Sequence, residues 1–312
     1  MKLGFAVKVL GEGGLPSSDN RRWQSGPHLR HSLELLDGVL SYLDRHDIRM
    51  YRMTASLAPY VTHPDLPQFH DQVEECADEL AATGARAREL DIRLSSHPGQ
   101  YIVLNSENED VVAGAIRDLE SQAALFDAMG LGPEAVVVLH VGGGQGDAIG
   151  RFEAGFRRLS EAARARLVIE NDDRTFGLGA VLGLWQRLGV RVVWDILHHH
   201  CHDPDGIPDR EALELALATW PADVTPKIHY STPKTALEER RKKVGRRTVT
   251  EFVLPQLRAH ADMIDPIAFA QFERDTAAGL DFDVMLEAKG KDLALLRLRE
   301  QLERETARTA RS

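Results

Sequence analysis

Only two cysteines, Cys76 and Cys201, occur in the 312 residues, and neither their number nor their spacing suits a disulfide framework or a zinc knuckle. Cys76 falls in a stretch of helical period and Cys201 in a histidine-rich one. No apolar run approaches the roughly 18 residues of a membrane span, so no membrane partner is expected. The opening Met1-Lys2-Leu3-Gly4-Phe5-Ala6-Val7 lacks the basic region, apolar core and cleavage site of a secretory signal, which makes the cytoplasm the expected compartment. No linker, repeat or low-complexity segment divides the sequence, and residues 1–312 are expected to form a single domain. Positive charge is in deficit as well: 38 Lys and Arg against 48 Asp and Glu give a formal charge of −10, which argues against broad attraction to nucleic acid. That exclusion is incomplete. Carboxylates that hold divalent cations are neutralised by them, and Glu238-Glu239-Arg240-Arg241-Lys242-Lys243-Val244-Gly245-Arg246-Arg247 is a concentrated basic stretch.

What is present is a regular alternation. Short β-rich runs at 3–7, 48–53, 93–96, 135–140, 167–170, 190–195, 226–230 and 282–287 are separated by stretches of helical period at 29–45, 68–90, 110–129, 151–164, 179–188 and 209–218. In Leu33, Leu35, Leu36, Val39, Leu40 and Leu43 the apolar residues recur at three- and four-residue intervals, as one buried helical face requires. Eight such units predict an α/β fold, a closed (β/α)8 TIM barrel, with its site at the C-terminal ends of the strands. Two segments, at about 11–28 and 231–259, are longer than the barrel needs and read as site-building loops.

Six of the predicted strands stop at a residue able to bind a metal. These ends are Ser96-His97-Pro98, Leu139-His140-Val141, Ile169-Glu170-Asn171, Trp194-Asp195-Ile196-Leu197-His198, Ile228-His229-Tyr230 and Leu286-Glu287-Ala288. A lone histidine is more often structural, but His97 and His140 at adjacent strand ends point to a divalent ion. Glu170 and Glu287 follow buried-strand sequence and can bridge or cap a metal cluster. Asp195 and His198 are three apart, within reach of one ion, while His199, His200 and His202 leave the local choice open. Lys227 shares a strand face with His229 and lies deeper, where a free ammonium is costly; it is either paired with a carboxylate or carbamylated into a ligand. His260 reads equally as a ligand or a surface residue. This surplus of ligands suggests two or three metals and phosphoryl chemistry, with a metal-bound water as nucleophile. Gln100 and Tyr101 follow a Pro-Gly turn and can wedge into a base stack or pack as an ordinary loop. Gly142-Gly143-Gly144 lacks a following P-loop lysine and reads as a flexible turn.

Together, His97-Pro98-Gly99-Gln100-Tyr101, His140-Val141-Gly142-Gly143, Glu170-Asn171-Asp172, Asp195-Ile196-Leu197-His198-His199, Lys227-Ile228-His229 and Glu287-Ala288-Lys289-Gly290-Lys291 resemble the bacterial UV damage endonucleases. The similarity extends over nearly the whole chain. It implies a TIM barrel related to endonuclease IV that acts, as a monomer, on damaged double-stranded DNA. It also implies incision immediately 5′ of cyclobutane pyrimidine dimers, 6-4 photoproducts and abasic sites. By position in those motifs the metal ligands would be His97, His140, Glu170, Asp195, His198, His229, His260 and Glu287. They would hold two or three Mn2+ ions, with Mg2+ or Zn2+ as alternatives. Lys227 matches a lysine that is modified in the family, and Gln100 and Tyr101 match its lesion-probing pair. Phe5 stands where some members have tyrosine, and the 231–259 segment is longer than in compact members; its basic run would suit duplex phosphates. Two other classes remain: a metal-dependent sugar isomerase or epimerase on the same barrel, and a metal-stabilised DNA-binding module without catalysis.

Overall fold

Runs such as Val136-Val137-Val138-Leu139 and Leu167-Val168-Ile169 are apolar on both faces, the pattern of a strand buried between a barrel interior and a helical shell. The computed structural model, which describes residues 1–245 and 247–309, builds them accordingly. Its strands are β1 (Leu3–Ala6), β2 (Met50–Arg52), β3 (Arg93–Ser95), β4 (Val137–His140), β5 (Leu167–Glu170), β6 (Arg191–Val193), β7 (Lys227–Tyr230), β8 (Glu238–Val244), β9 (Arg247–Val253) and β10 (Asp283–Leu286). Parallel ladders order β3-β2-β1-β10-β7 in one sheet and β4-β5-β6 in another. Parallel bridges Ser96↔Val137 and Asp195↔His229 join the two sheets at both seams, so eight strands close into a (β/α)8 barrel.

Helices cover the outside. Helix Leu29–Arg45 buries Leu33, Leu36, Val39, Leu40 and Leu43 on one side. Two expected helices are each divided. The 68–90 stretch breaks at Cys76 into Gln72–Glu75 and Ala77–Glu89, and 151–164 becomes Ala148–Arg157 and Glu161–Arg166. The second break is local chemistry: the Ser160 hydroxyl accepts from Ala163 N at 3.1 Å and starts a new helix. No helix among the described residues is long and apolar enough to cross a membrane.

Within 231–259, expected as a loop, β8 and β9 pair antiparallel over seven registers, from Glu238↔Val253 to Val244↔Arg247. Arg246 of the basic stretch lies outside the described residues. The hairpin's alternation is polar or charged on both faces, which is why it reads as a loop.

The barrel interior is layered by the two-residue period of its strands. At the base, Arg93 donates to Asp283 at 2.9 Å, and the Arg93 and Arg191 guanidiniums stand 5.6 and 4.8 Å from the Trp220 ring. Above them Val136, Val138, Val168 and Val193 form an apolar plug with Trp220 and Val224, separate from the large core outside the barrel. β1 adds almost no bulk there, since a Cβ at Gly4 would stand 2.8 Å from Met50. Phe5 faces the other way, buried in the outer core with its ring edge against Tyr51, so its missing hydroxyl does not bear on the mouth. Two residues above Ser95, Val138, Val168, Val193, Lys227 and Met285 the inward side chains become His97, His140, Glu170, Asp195, His229 and Glu287, and the valine plug is part of their floor.

Candidate metal centre

Glu170, at the end of β5, is the hub. Its Oε2 lies 3.1 Å from His97 Nε2 and 3.6 Å from His140 Nε2, and its Oε1 lies 2.9 Å from His229 Nδ1 and 3.4 Å from His198 Nδ1. Four imidazoles from four strand ends therefore meet one buried carboxylate. Glu287 extends the cluster: its Oε1 is 3.4 Å from His229 Nδ1, and its Oε2 is 3.7 Å from His260 Nδ1. The His198 and His260 rings stand 6.2 Å apart, so the histidines form a continuous arc across the mouth.

His260 arrives from far along the sequence. The antiparallel bridge Pro233↔His260, with Ala261 N donating to Thr232 O at 2.8 Å, ties its segment back to the end of β7. Asp195 is the N-cap of helix Ile196–Cys201, accepting from His198 N at 2.8 Å, and this cap turns the His198 ring inward. Among the neighbouring histidines, His199 Nε2 donates to Ile207 O at 2.8 Å, His200 pairs with Asp209 at 2.9 Å, and His202 forms the helix C-cap. Only His198 of that run joins the cluster.

Two of the rings are oriented through Nδ1: His97 Nδ1 donates to Pro98 O at 3.0 Å and His198 Nδ1 to Asn171 O at 3.0 Å, which makes Nε2 the atom each would offer an ion, that of His97 already facing Glu170 Oε2 at 3.1 Å. Asn171 does more than cap: its amide accepts from Asp195 N at 2.8 Å and donates to Asp195 O at 3.0 Å, clamping β5 to the start of the next helix. Asp172 instead organises its own turn through Arg174 N and Thr175 N. Asp173 takes Arg258 at 3.1 Å. Arg52, on β2, ion-pairs with the inner oxygen of Glu287. Sequence reasoning missed Arg52 and Arg258; both appear only once the strand order is known.

Electrostatics follow burial. Desolvation pushes the His229 imidazolium down to about 4 and lowers His140 and His260. Burial pushes the Asp195 carboxyl up, with Glu170 and Glu287 adding to the rise against His198. For His198 burial disfavours the charged ring, but Asp195 and Glu170 outweigh it and hold the pKa up at about 11. Burial likewise opposes ionisation of Glu170, yet the imidazoles around it, His229 first, keep it well below the usual carboxylate range.

The donor set fits divalent ions. His97, His140 and Glu170 offer ligand atoms within 4.8 Å of one another, as do Glu170, Asp195 and His229, and the two triads share Glu170. Buried His229 Nε2, His140 Nδ1 and Asp195 Oδ2 lack hydrogen-bond partners among the described residues, an arrangement that costs stability unless something else takes them up. Lys227 is fully buried one layer beneath. Its Nζ donates to Ser95 Oγ at 3.1 Å, and burial lowers its pKa well below the ordinary lysine value. The carboxylate partner expected for it is absent: among the described residues none lies within 4.0 Å, because Glu170 and Glu287 are taken by imidazoles and Arg52 above.

The mouth is open. A cleft of about 490 Å³ is lined by His97, His140, His198, Arg174 and Arg258. On its rim, Ile102 N donates to Gly99 O at 2.9 Å and closes a turn with Gln100 and Tyr101 at its tip. Tyr101 is 76% exposed, which is unusual for an aromatic side chain. A second cleft, lined by Val7, Tyr60 and His63, opens on the other side of that turn.

The family model described as UV-endonuclease UvdE matches residues 29–311. A UV DNA damage endonuclease of Bacillus velezensis is 32% identical over 269 residues, covering 85% of this chain and 78% of the relative. One from Bacillus cereus is 30% identical over 279 residues, covering 88% and 81%. The crystal structure of SacUVDE superposes with a TM-score of 0.81 at 28% identity, covering 98% of this chain and 99% of that one. D-psicose 3-epimerase from Clostridium cellulolyticum H10 superposes at 0.52 with 13% identity, over 92% of this chain and 85% of its own, a likeness of barrel architecture alone.

Proposed function

The chain belongs to the UV-endonuclease UvdE family, and from that premise we propose that it is a DNA repair endonuclease of the cytoplasm. In this reading it hydrolyses the phosphodiester bond immediately 5′ of cyclobutane pyrimidine dimers, 6-4 photoproducts and abasic sites in damaged double-stranded DNA, acting as a monomer. The observation that carries the reading is the meeting of four imidazoles on buried Glu170 beneath an open mouth. We assign His97, His140, Glu170, Asp195, His198, His229, His260 and Glu287 as ligands of two or three divalent ions, manganese foremost. Bound there, such ions supply Lewis-acid stabilisation of phosphoryl charge and an activated water.

The chain's own residues do the rest. Glu170 serves both triads, Arg52 holds Glu287 in place, and Asn171 holds Asp195 and His198 together. At the rim, the Tyr101 ring and Gln100 amide can occupy the space of a displaced base, and a photoproduct is cheaper to unstack than an intact pair. Arg174 and Arg258, which share Asp173, line the cleft where phosphates would pass and can exchange that carboxylate for a phosphate oxygen.

One consequence concerns protons. With a pKa near 11, His198 is cationic in the metal-free protein at pH 7 to 8, and ligation requires its Nε2 to lose that proton. Nδ1–H stays on Asn171 O. Metal binding is therefore expected to release a proton in that range and to tighten as pH rises. Titration calorimetry in buffers of different ionisation enthalpy measures this; no buffer dependence would exclude His198 as the ligand.

Lys227, buried without a carboxylate, is expected to carry an added carboxylate of about 44 Da that joins the metal ligands. Native mass spectrometry of gently handled protein should show the added mass, lost after acid treatment and in Lys227→Met. An unmodified mass under native conditions would leave Lys227 as a neutral amine beside Ser95.

Nicking of supercoiled plasmid tests the function. Ultraviolet-irradiated plasmid should relax with manganese, unirradiated plasmid should not, and chelator should abolish the difference. Failure to nick, combined with epimerisation of a ketose, would transfer the site to sugar chemistry.

A further inference from the structure

The β8–β9 hairpin is exposed along nearly its whole length on both faces, so the barrel does not hold it. A free two-stranded ribbon is marginal in water, and its open edges and exposed Val244, Val249 and Phe252 are liabilities unless a partner uses them. Register divides its charges. Arg241 lies opposite Thr250 and Lys243 opposite Thr248, whereas Arg240 lies opposite Glu251 and Lys242 opposite Val249. One face thus sets Arg241 and Lys243 across from two hydroxyls, with Glu239 and Phe252 nearer its root, whereas the other sets Arg240 across from Glu251 and carries Lys242 and Arg247 among Val244 and Val249. Among the described residues, none of Arg240, Arg241, Lys242, Lys243 and Arg247 has a carboxylate within 4.0 Å, although the chain as a whole is acidic; Lys234 and Glu238 pair with each other at the root.

Position adds to chemistry. The ribbon leaves the barrel at the end of β7, on the same face as the metal centre, and its root is pinned by the Pro233↔His260 bridge and by Lys234 N donating to Ala259 O at 2.6 Å. The Gln100–Tyr101 turn leaves from β3. In the closed order of eight strands β3 and β7 are four apart, so the turn and the ribbon stand on opposite sides of the mouth with the histidine arc between them.

We propose that the ribbon is a backbone clamp. Resting on the endonuclease reading above, it grips the phosphates of the duplex flanking the lesion through Arg241, Lys243, Thr248 and Thr250. It supplies affinity that is independent of damage, while discrimination stays with the turn on the opposite rim. Seven-residue strands extend roughly 20 Å, enough to follow several phosphates at about 3.4 Å of helix axis per nucleotide. Cations paired with hydroxyls are the usual equipment for phosphate oxygens.

The test is binding of full-length Arg241→Ser/Lys243→Ser to a labelled duplex, intact or carrying one cyclobutane dimer, over a range of salt. The companion variant is Arg240→Ser/Lys242→Ser, which removes equal charge from the other face; circular dichroism checks that both fold. The first variant should bind both duplexes about tenfold or more weakly, with an unchanged ratio between them and a salt slope shallower by about 2. The companion should lose less. An unchanged slope in the first variant, equal loss in the two variants, or loss confined to the damaged duplex would overturn the clamp. So would a wild-type dimer in sedimentation that the first variant dissolves while DNA binding stays intact, since the occupant would then be a second copy. Wild-type protein that binds neither duplex would remove the endonuclease reading itself, and the clamp with it.

Discussion

Glu170→Gln is expected to abolish incision, by about a thousandfold or more, and to leave a folded protein that no longer retains its full complement of divalent ions. The substitution keeps the shape and removes the charge. Glu170 is 1% exposed and faces His97, His140, His198 and His229, so no other carboxylate can take over its contacts. Glu287, the nearest alternative, is held by Arg52 and faces His260. A neutral amide gives up the charge that both triads share, and loss of charge stabilisation at a catalytic phosphoryl centre costs 10²- to 10³-fold before any loss of metal is counted. Metal content by plasma emission and incision rate should fall together in the variant. A Glu170→Gln protein that keeps wild-type metal content and rate would mean that Glu170 only spaces the imidazoles.

Gln100→Ala/Tyr101→Ala should act on selectivity and not on fold. Both side chains sit at the tip of a turn closed by backbone, and Tyr101 is 76% exposed, so thermal stability should barely move. Stacking of an aromatic ring on a base is worth about 1–3 kcal/mol, or roughly 5- to 150-fold in affinity. The preference for a dimer-containing duplex over an intact one should therefore drop by about one to two orders of magnitude, while metal content stays unchanged. If the preference survives, deformability of the damaged duplex carries recognition and the turn does not.

The barrel was legible because its signal is local. Each barrel strand is a short apolar run, six of the eight end in a residue able to bind a metal, and the period of two already separates the ligand layer from what lies below. The apolar pattern overruns the strand ends, as at 190–195 against Arg191–Val193, because Trp194 and Asp195 leave the ladder to start a helix. What was not legible depends on neighbours distant in sequence. Arg52 meets Glu287 only because the β1 strand between them is narrow, carrying Gly4 and Ala6 inward. His260 meets Glu287 only because its backbone bridges Pro233, across a hairpin whose charges hid its strand character. The solitude of Lys227 is likewise a matter of which groups the layer above has already engaged.

The most direct measurement is incision of a 5′-labelled duplex carrying one cyclobutane dimer at a defined position, with manganese, with chelator, and beside the same duplex undamaged. The expected result is a single metal-dependent product that ends in a 3′-hydroxyl immediately 5′ of the dimer. Folded, metal-loaded protein that leaves the damaged duplex whole, or cuts the intact one equally well, would contradict the account.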